Sequence, residues 1–334
     1  MKKHIESIDM LKGMTIILVV IGHALQGVAS SQHLTLSTDY NSIFILKQVI
    51  YGFHMPLFFI IAGLFISSWL KKSFKDAMLQ KLFRLMVLYF IWSAITAIVM
   101  QFASGYTNYG LGIRDFLLSP IKPFSQYWFL YVLFFIHIIY YMLLNIKILN
   151  GKFIFLVIGI ILYLLNPLIY SIWIFKSLCN FMIFFSIGTY ILDFINLKNF
   201  RCKKIIIPTM LFLLINIVYI KVLYLNIEVL SYYFWFFTSI VGSGFCFFIS
   251  YYIINKIKII KKILCFFGKK SMEIYCLHLL ILAGIRISLL KILKIEELWS
   301  VVILSGSITL IICYIIFSKI PYEKTNIKLL FGVK

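Results

Sequence analysis

The feature that most constrains this chain is a series of long apolar runs separated by short polar segments. Ten runs of about 18–25 residues are present, and each is long enough to cross the ~30 Å hydrocarbon core of a bilayer as an α-helix. Their approximate bounds are 11–29, 44–70, 85–103, 127–146, 153–171, 177–195, 205–225, 231–254, 271–292 and 299–319. We therefore expect an all-α fold, a polytopic membrane helix bundle of about ten transmembrane helices that forms one domain over residues 1–334.

The composition excludes an ordinary soluble protein. Hydrophobic residues make up 63% of the 334 residues and charged residues only 13%. Soluble domains are about half apolar and about one quarter charged, so an excess of this size requires lipid as the solvent. The net charge of +21 would suggest a nucleic-acid partner for a soluble chain. Here we expect no nucleic acid, because the basic residues fall in the short loops between apolar runs.

Those basic residues alternate from loop to loop. If the N-terminus lies in the cytoplasm, 23 of the 32 lysines and arginines fall in inner segments and six in outer segments. The positive-inside rule then places both termini in the cytoplasm and requires an even number of spans. The inner loops are also expected to contact anionic lipid of the bilayer.

Two features leave alternatives open. The fifth and sixth runs are separated only by a tight stretch near 171–176, so nine or eleven spans are also compatible with the pattern. The two N-terminal lysines and the apolar run that follows them also resemble a secretory signal peptide. We expect a retained first helix instead, because Asp9, Lys12 and His23 interrupt that run.

The first helix carries a cation and an imidazole on one face. Lys12 and His23 are eleven residues apart, almost three helical turns, so their side chains point the same way about 16 Å apart along the axis. Lys12 falls at the cytoplasmic edge and His23 near the middle of the membrane. Ionisable residues within a span are costly, so each is a functional hypothesis by default.

Two further histidines are candidates. His54 precedes Pro56 in the second run, where the proline removes a helical hydrogen bond and frees the carbonyl near Gly52. Non-helical backbone at this depth is tolerated only where protein or a watery cavity receives it. His278 lies in the ninth run, with Tyr275 one turn earlier on the same face. The alternative for each histidine is a hydrogen bond that only holds helices together.

For other polar and aromatic residues, the sequence gives weaker evidence of a functional role. Arg84 ends a basic segment at the inner mouth of the third run and is a candidate for binding an anion, whereas Lys81 is expected to anchor the topology. Trp128 begins the fourth run at the outer interface, where it fits either an aromatic belt or a platform for a sugar ring. His137 is expected to be structural. The six cysteines lack metal-ligand spacing, so we expect no metal site.

Several segments together resemble the acyltransferase-3 family of membrane acyltransferases, especially its fucose 4-O-acetylase-like and polysaccharide O-acetyltransferase branch. The resemblance covers residues 5–320. The family signature is a basic residue, normally Arg, followed by ten residues and then His, which Lys12 and His23 match with Lys in place of Arg. The matching segments are Ile8–Gly13, Val19–His23, Phe53–Gly63, Lys81–Arg84, Tyr127–Leu130 and Gly268–His278.

The resemblance implies transfer of an acyl group, usually acetyl, from cytoplasmic acyl-CoA to a hydroxyl of a cell-envelope polysaccharide or its lipid-linked precursor. It implies no permanently bound cofactor, with acetyl-CoA as a donor substrate, and a place in the bacterial cytoplasmic (inner) membrane. Lys12 and Arg84 would bind the donor phosphates. The Lys for Arg replacement keeps the charge but loses the bidentate fork.

The resemblance also implies roles for the remaining candidates. His23 is expected to act as general base, because a histidine shielded from water stays neutral and can accept a proton. His54 is expected to orient His23 or polarise the thioester carbonyl. Trp128, Tyr275 and His278 are expected to bind substrate. A covalent acyl-enzyme relay is a second route to the same product.

Two other functions fit parts of the pattern. One is a transporter or flippase for a lipid-linked glycan, in which midplane histidines relay protons. The other is a non-catalytic subunit of an envelope assembly. Neither needs acetyl-CoA, so binding of acetyl-CoA by the purified protein separates them from the transferase. The sequence shows no internal repeat or inverted half, which disfavours the transporter.

Overall fold

The computed structural model describes residues 2–30, 39–66, 69, 72–103, 105, 110–144, 150–168, 173–194, 206–319 and 330–331. Across these ranges the chain is helical and contains no β-strand. Ten helical segments of the described chain are long and apolar enough to cross a membrane. The predicted all-α membrane bundle is therefore confirmed, and the fifth and sixth runs are separate spans, Gly151–Leu168 and Trp173–Ile191.

The helices follow the apolar runs with a few local interruptions. A π-helical segment, Leu82–Val87, joins the two helices of the third span, and a second one, Ser288–Ile292, ends the ninth. The α-helices are α1 Lys2–Ala29, α2 Tyr40–Tyr51, α3 His54–Leu64, α4 Phe74–Lys81, α5 Leu88–Phe102, α6 Ile113–Leu117, α7 Trp128–Leu144, α8 Gly151–Leu165, α9 Trp173–Phe194, α10 Ile206–Tyr224, α11 Glu228–Lys256, α12 Lys258–Lys269, α13 Ser271–Ile287 and α14 Leu298–Lys319.

Some predicted boundaries and basic positions lie outside the described residues. Among them are Lys71, Lys147, the span ends near 67–68, 70–71, 145–149 and 169–172, and the segment 195–205. The chain divides into two compact units. The first contains the described residues up to 57 and from 206 to 319, and the second those from 58 to 194 with 330–331. The expected single domain over residues 1–334 stays a prediction.

In the first unit, α1 is the central helix and packs against α2, α11, α12, α13 and α14. Its C-terminal half enters an apolar cluster in which Ala24, Leu25 and Val28 meet Leu282 of α13 and Val301 of α14. The interior of the unit is therefore built around the helix that carries Lys12 and His23. Burial of this apolar surface from all sides fixes the rotation of α1 about its axis.

The predicted inner loop after the eighth span contains a helix that the sequence did not reveal. This helix, α12, lies against α1 with its backbone close to that of α1 at two glycines. A Cβ atom at Gly13 would collide with the carbonyl of Leu264, and one at Gly268 would collide with the carbonyl of Asp9. Glycine is therefore required at both positions for α12 to sit beside the Lys12 end of α1.

The predicted interruption of the second span is confirmed. Helix α2 ends at Tyr51 and α3 begins at His54, which leaves Gly52 and Phe53 between them. The carbonyl of Gly52 accepts a hydrogen bond of 2.6 Å from the hydroxyl of Ser239 in α11. The backbone group that Pro56 frees from helical pairing thus has a protein partner, as an apolar environment demands.

The second unit is packed largely through aromatic side chains. The ring of Phe59 in α3 stacks on Phe181 of α9 at 4.5 Å between centroids, and Phe185 lies 5.6 Å from Tyr140. The backbones of α3 and α9 approach closely at Gly63 and Gly188, where a Cβ atom would meet the backbone of the opposite helix. This packing holds α3, α7 and α9 together and positions the candidates of this unit.

Candidate active site

The predicted histidines of the first unit meet around His23. The rings of His23 in α1 and His278 in α13 lie 5.2 Å apart between centroids, and Tyr51 lies 6.2 Å from His23. The ring of Tyr51 in turn packs edge-on against His54 at 4.8 Å. Three helical spans therefore contribute three imidazoles and a phenol to one cluster. Lipid-facing side chains do not make such contacts, so His23 points into the protein.

The proton positions on His54 and His278 follow from their backbone contacts. Nδ1 of His54 lies 2.8 Å from the carbonyl oxygen of Ile50, and Nδ1 of His278 lies 2.8 Å from that of Tyr275. A carbonyl oxygen only accepts, so in both residues Nδ1 carries the proton and Nε2 holds the free lone pair. Both side chains are buried, His54 with 2% and His278 with 0% of its surface exposed.

The lone pair of His278 has no hydrogen-bond donor in the described part of the chain. Nε2 is a buried side-chain atom without a partner there. Buried polar atoms are almost always paired in folded proteins, and an exception calls for an explanation. A buried acceptor on a ring next to His23 is the arrangement expected where a substrate hydroxyl or another donor binds.

Tyr51 is a further site residue, which was not identified from sequence. Its hydroxyl lies 3.4 Å from Nδ1 of His23, at the long end of hydrogen-bond distance, and either group can be the donor. When Nδ1 of a neutral His23 donates to the phenol oxygen, Nε2 holds the free lone pair that a general base needs. The sequence did contain an indication of this role, because Tyr51 is the last residue before the predicted helix break. In the structure its ring packs against His54.

Lys12 lies where α1 meets α12. It belongs to the same uninterrupted helix as His23, which confirms the predicted three-turn spacing on one face. Its side chain is half-buried and interacts electrostatically with the carboxylate of Asp9. The neighbouring pair of Glu6 and Lys261, 2.6 Å apart, ties α12 to the start of α1. The Lys12 end of the helix therefore lies in a charged environment that α12 completes.

Tyr275 is held beside His278 as predicted. Its ring lies 6.0 Å from that of His278 and only 4% of its surface is exposed. Both side chains belong to α13, and the carbonyl of Tyr275 fixes the His278 ring. Tyr275 thus supports the orientation of His278 whether or not it also contacts a substrate.

Arg84 and Trp128 belong to the second unit. Arg84 is exposed and lies within the π-helical segment Leu82–Val87, a kind of distortion that often marks functional sites. Trp128 is half-buried, and its ring lies 5.1 Å from Phe181 and 5.9 Å from the partly exposed Trp173. Trp173 extends the predicted aromatic surface and was not identified from sequence.

His137 has a neighbour that the sequence did not predict. Its Nε2 atom lies 2.7 Å from the Nζ atom of Lys81, 56 residues earlier in the chain. Lys81 was expected to anchor the topology and His137 to be structural. No local pattern relates the two positions, because only the packing of α7 against the third span brings them together.

No cluster suited to a metal ion occurs among the described residues. Cys179, Cys246, Cys265 and Cys313 are free thiols. Cys265 of α12 lies against the start of α1, where its sulfur contacts the carbonyl of Glu6. Burial and the nearby Asp9 and Glu6 raise the pKa of its thiol. A raised pKa disfavours the thiolate, so Cys265 is poorly suited to form an acyl intermediate.

Comparison with known proteins identifies the family. A model of the acyltransferase domain matches residues 5–318, nearly the whole chain. A curated relative, the nodulation protein NolL of Sinorhizobium fredii, is 34% identical over 126 residues, 37% of this chain. That match spans 32% of the relative's own length. No solved structure matches. The extent of the domain match, together with the His23 cluster in a bundle of membrane helices, shows that the chain belongs to the acyltransferase-3 family of membrane acyltransferases.

Proposed function

We propose that this protein is an O-acyltransferase that moves an acetyl group from cytoplasmic acetyl-CoA to a hydroxyl of a cell-envelope polysaccharide or its lipid-linked precursor. The observation that carries the proposal is the contact of His23 with His278 and Tyr51, three turns along α1 from Lys12. Imidazoles gathered within a membrane bundle are costly unless they serve a reaction. The family supplies the class of reaction.

The donor is bound at its phosphates. CoA carries a pyrophosphate and a ribose phosphate, and cations at the cytoplasmic face are the groups that recognise them. In the proposal Lys12 and Arg84 take this role. The pantetheine arm then runs along α1, and the ~16 Å between Lys12 and His23 suits the reach from phosphate to thioester.

His23 is the general base of the proposed reaction. It removes the proton from the acceptor hydroxyl while that oxygen attacks the carbonyl carbon of the thioester. The carbon–sulfur bond then breaks, CoA leaves, and the proton held by His23 passes to the departing sulfur. Atoms and charges balance without a metal or a redox partner, and direct transfer needs no acyl-enzyme intermediate.

The remaining histidines act around this step. The Nε2 lone pair of His278 accepts a hydrogen bond from the acceptor and orients its hydroxyl toward His23. His54 keeps Tyr51 in place by ring contact, and Tyr51 orients His23 through Nδ1. The acceptor sugar enters from the outer side, where Trp128 offers an aromatic face. We place the protein in the bacterial cytoplasmic membrane with both termini inside.

Two measurements test the proposal. The purified full chain is expected to bind acetyl-CoA, and cells that produce it are expected to carry acetylated envelope glycans by mass spectrometry. His23→Ala should abolish the acetyl groups while the protein still inserts and binds acetyl-CoA. Normal acetylation by His23→Ala would refute the base assignment. A wild-type protein that binds no acetyl-CoA would favour the flippase function instead.

A further inference from the structure

The second unit contains a half-buried cation that the proposed reaction does not use. Lys81 lies between two side chains, with Nζ 2.7 Å from Nε2 of His137 and 5.3 Å from the centre of the Trp69 ring. We call Trp69, Lys81 and His137 the Lys81 cluster. His137 has 1% and Trp69 has 4% of its surface exposed, so the partners of Lys81 are fixed by the interior of the protein.

The orientation of His137 is set from its other side. Its Nδ1 atom lies 2.7 Å from the carbonyl oxygen of Leu133, one turn earlier in α7. Because a carbonyl oxygen only accepts, Nδ1 carries the proton and Nε2 presents its lone pair to Lys81. The ammonium of Lys81 therefore donates to a neutral imidazole whose tautomer the backbone determines.

The side chain of Trp69 is also held in a fixed orientation. Its indole N–H donates a hydrogen bond of 2.8 Å to the carbonyl of Ala77, and its ring packs edge-on against His137 at 5.3 Å. The face of the indole then supplies a cation–π contact to Lys81, which lies within the usual ~6 Å limit. Two independent restraints thus direct one flexible side chain.

Neither restraint neutralises the charge of Lys81. Imidazole and indole are both uncharged, and in the described part of the chain Lys81 forms no ion pair with a carboxylate. An ammonium at the edge of a membrane span is costly without a counter-ion. It still has two N–H groups beyond the one directed at His137, and these are available to an anion.

The position of Lys81 in the chain indicates which anion. The π-helical segment Leu82–Val87 begins at the next residue and carries Arg84. Two cations therefore flank the start of a helical distortion, one exposed and one held from within the protein. A phosphate group of the acyl donor matches this pair in charge and in number of acceptors.

We propose that His137 is a positioning residue for donor binding, which acts by holding Lys81 in the direction that contacts a phosphate of acyl-CoA. This inference rests on the proposed function. His137 itself touches neither substrate nor reacting atoms. Its effect should therefore appear in the affinity for the donor and should disappear when Lys81 is absent.

Two substitutions separate the two nitrogen atoms of His137. The side-chain oxygen of Gln reaches the place of Nε2, so His137→Gln keeps an acceptor for Lys81. The side chain of Asn reaches only the place of Nδ1, so His137→Asn keeps the Leu133 contact and loses the Lys81 contact. The matched control is Tyr141→Phe, which removes a different, partly buried hydrogen bond of α7, from Tyr141 to the carbonyl of Lys72.

The experiment measures the Kd of coenzyme A for the purified full-length variants by calorimetry. We expect His137→Asn to weaken binding about tenfold, the size of one lost hydrogen bond to a charged group. His137→Gln and Tyr141→Phe should stay within about twofold of wild type. In a Lys81→Met background, His137→Asn should have no further effect, because the two residues act as one unit.

Each other outcome overturns the inference. An unchanged Kd for His137→Asn removes the positioning role, and an additive effect with Lys81→Met shows that His137 acts by another route. Equal losses in His137→Asn and Tyr141→Phe indicate general damage to packing. If the wild-type protein binds no coenzyme A, the proposed function itself is wrong. This outcome is distinct from failure of the His137 inference, because it is seen without any variant.

Discussion

The imidazole rings of His23 and His278 lie 5.2 Å apart although they come from opposite ends of the chain. Nδ1 of His23 lies 3.4 Å from the hydroxyl of Tyr51, and Nδ1 of His278 donates to backbone carbonyls. Nε2 of His278 therefore holds a free lone pair, and Nε2 of His23 does so when Nδ1 donates to Tyr51. The two rings differ in what contacts Nδ1, which is a phenol for the proposed base and the backbone for the residue proposed to position the substrate.

For His278, the two amide substitutions should differ in activity. His278→Gln keeps an acceptor where Nε2 lies, and we expect it to retain about one tenth of the acetylation, whereas His278→Asn should lose about 100-fold, since a mispositioned hydroxyl raises the barrier by a few kcal/mol. The readout is the rate at which acetyl groups appear on the glycan. Equal activity of the two variants would mean that the unpaired Nε2 atom has no part in the reaction.

For Tyr51, removal of the hydroxyl should slow catalysis without loss of donor binding. Tyr51→Phe keeps the ring contact with His54 but removes the hydroxyl that contacts Nδ1 of His23. One net hydrogen bond contributes about 0.5–1.5 kcal/mol, so we expect a roughly 2- to 10-fold lower kcat. The affinity for acetyl-CoA should not change. A variant with wild-type kcat would remove Tyr51 from the site.

For Lys12, charge should matter more than shape. Lys12→Arg keeps the cation and should bind acetyl-CoA within about threefold of wild type, whereas Lys12→Ala should bind about 10- to 100-fold more weakly, as expected for one charged hydrogen bond. Lys262→Ala is the control, because Lys262 is an exposed lysine of the adjacent helix α12. Equal losses in Lys12→Ala and Lys262→Ala would show a general charge effect only.

For Gly268, even one methyl group should be destabilising. Its Cβ would collide with the backbone of Asp9, so α12 must move away from α1, at a cost of about 1–3 kcal/mol or more. Gly284 in α13 has nothing within 4 Å of its Cβ position, and Gly284→Ala should be neutral or stabilising. Thermal unfolding in detergent compares the two. A Gly268→Ala variant as stable as wild type would contradict the close contact of α1 and α12.

Much of this architecture was predictable from local sequence. A bundle of about ten spans was predictable, because lipid demands an internally hydrogen-bonded helix wherever an apolar run is long enough. The sequence left nine or eleven spans open, because the fifth and sixth runs are separated only by a tight stretch. The break before His54 was predictable too, since Pro56 cannot continue the helical hydrogen bonding. The hydrogen-bond donor to the freed carbonyl of Gly52 could not be predicted from sequence. That donor is Ser239, which lies in a distant span, and its own segment has no pattern that indicates this contact.

Helix α12 shows a different kind of limit. Its twelve residues are rich in lysine, and the topology alone accounts for lysine in an inner loop. Because the positive-inside rule already explained these lysines, there was no reason in the sequence to expect a helix in the same residues. The contact with α1 depends on Gly13 and Gly268, which have no side chain and so let the two backbones approach closely.

The sequence by itself determined the bundle of membrane helices and the alignment of Lys12 with His23, because both follow from the period of a single helix and from the cost of polar groups in lipid. Only the tertiary structure decided that Tyr51 and His278 meet His23, and that His137 meets Lys81. These contacts join residues far apart in the chain. They depend on which faces of separate helices pack together, and no local spacing encodes that choice.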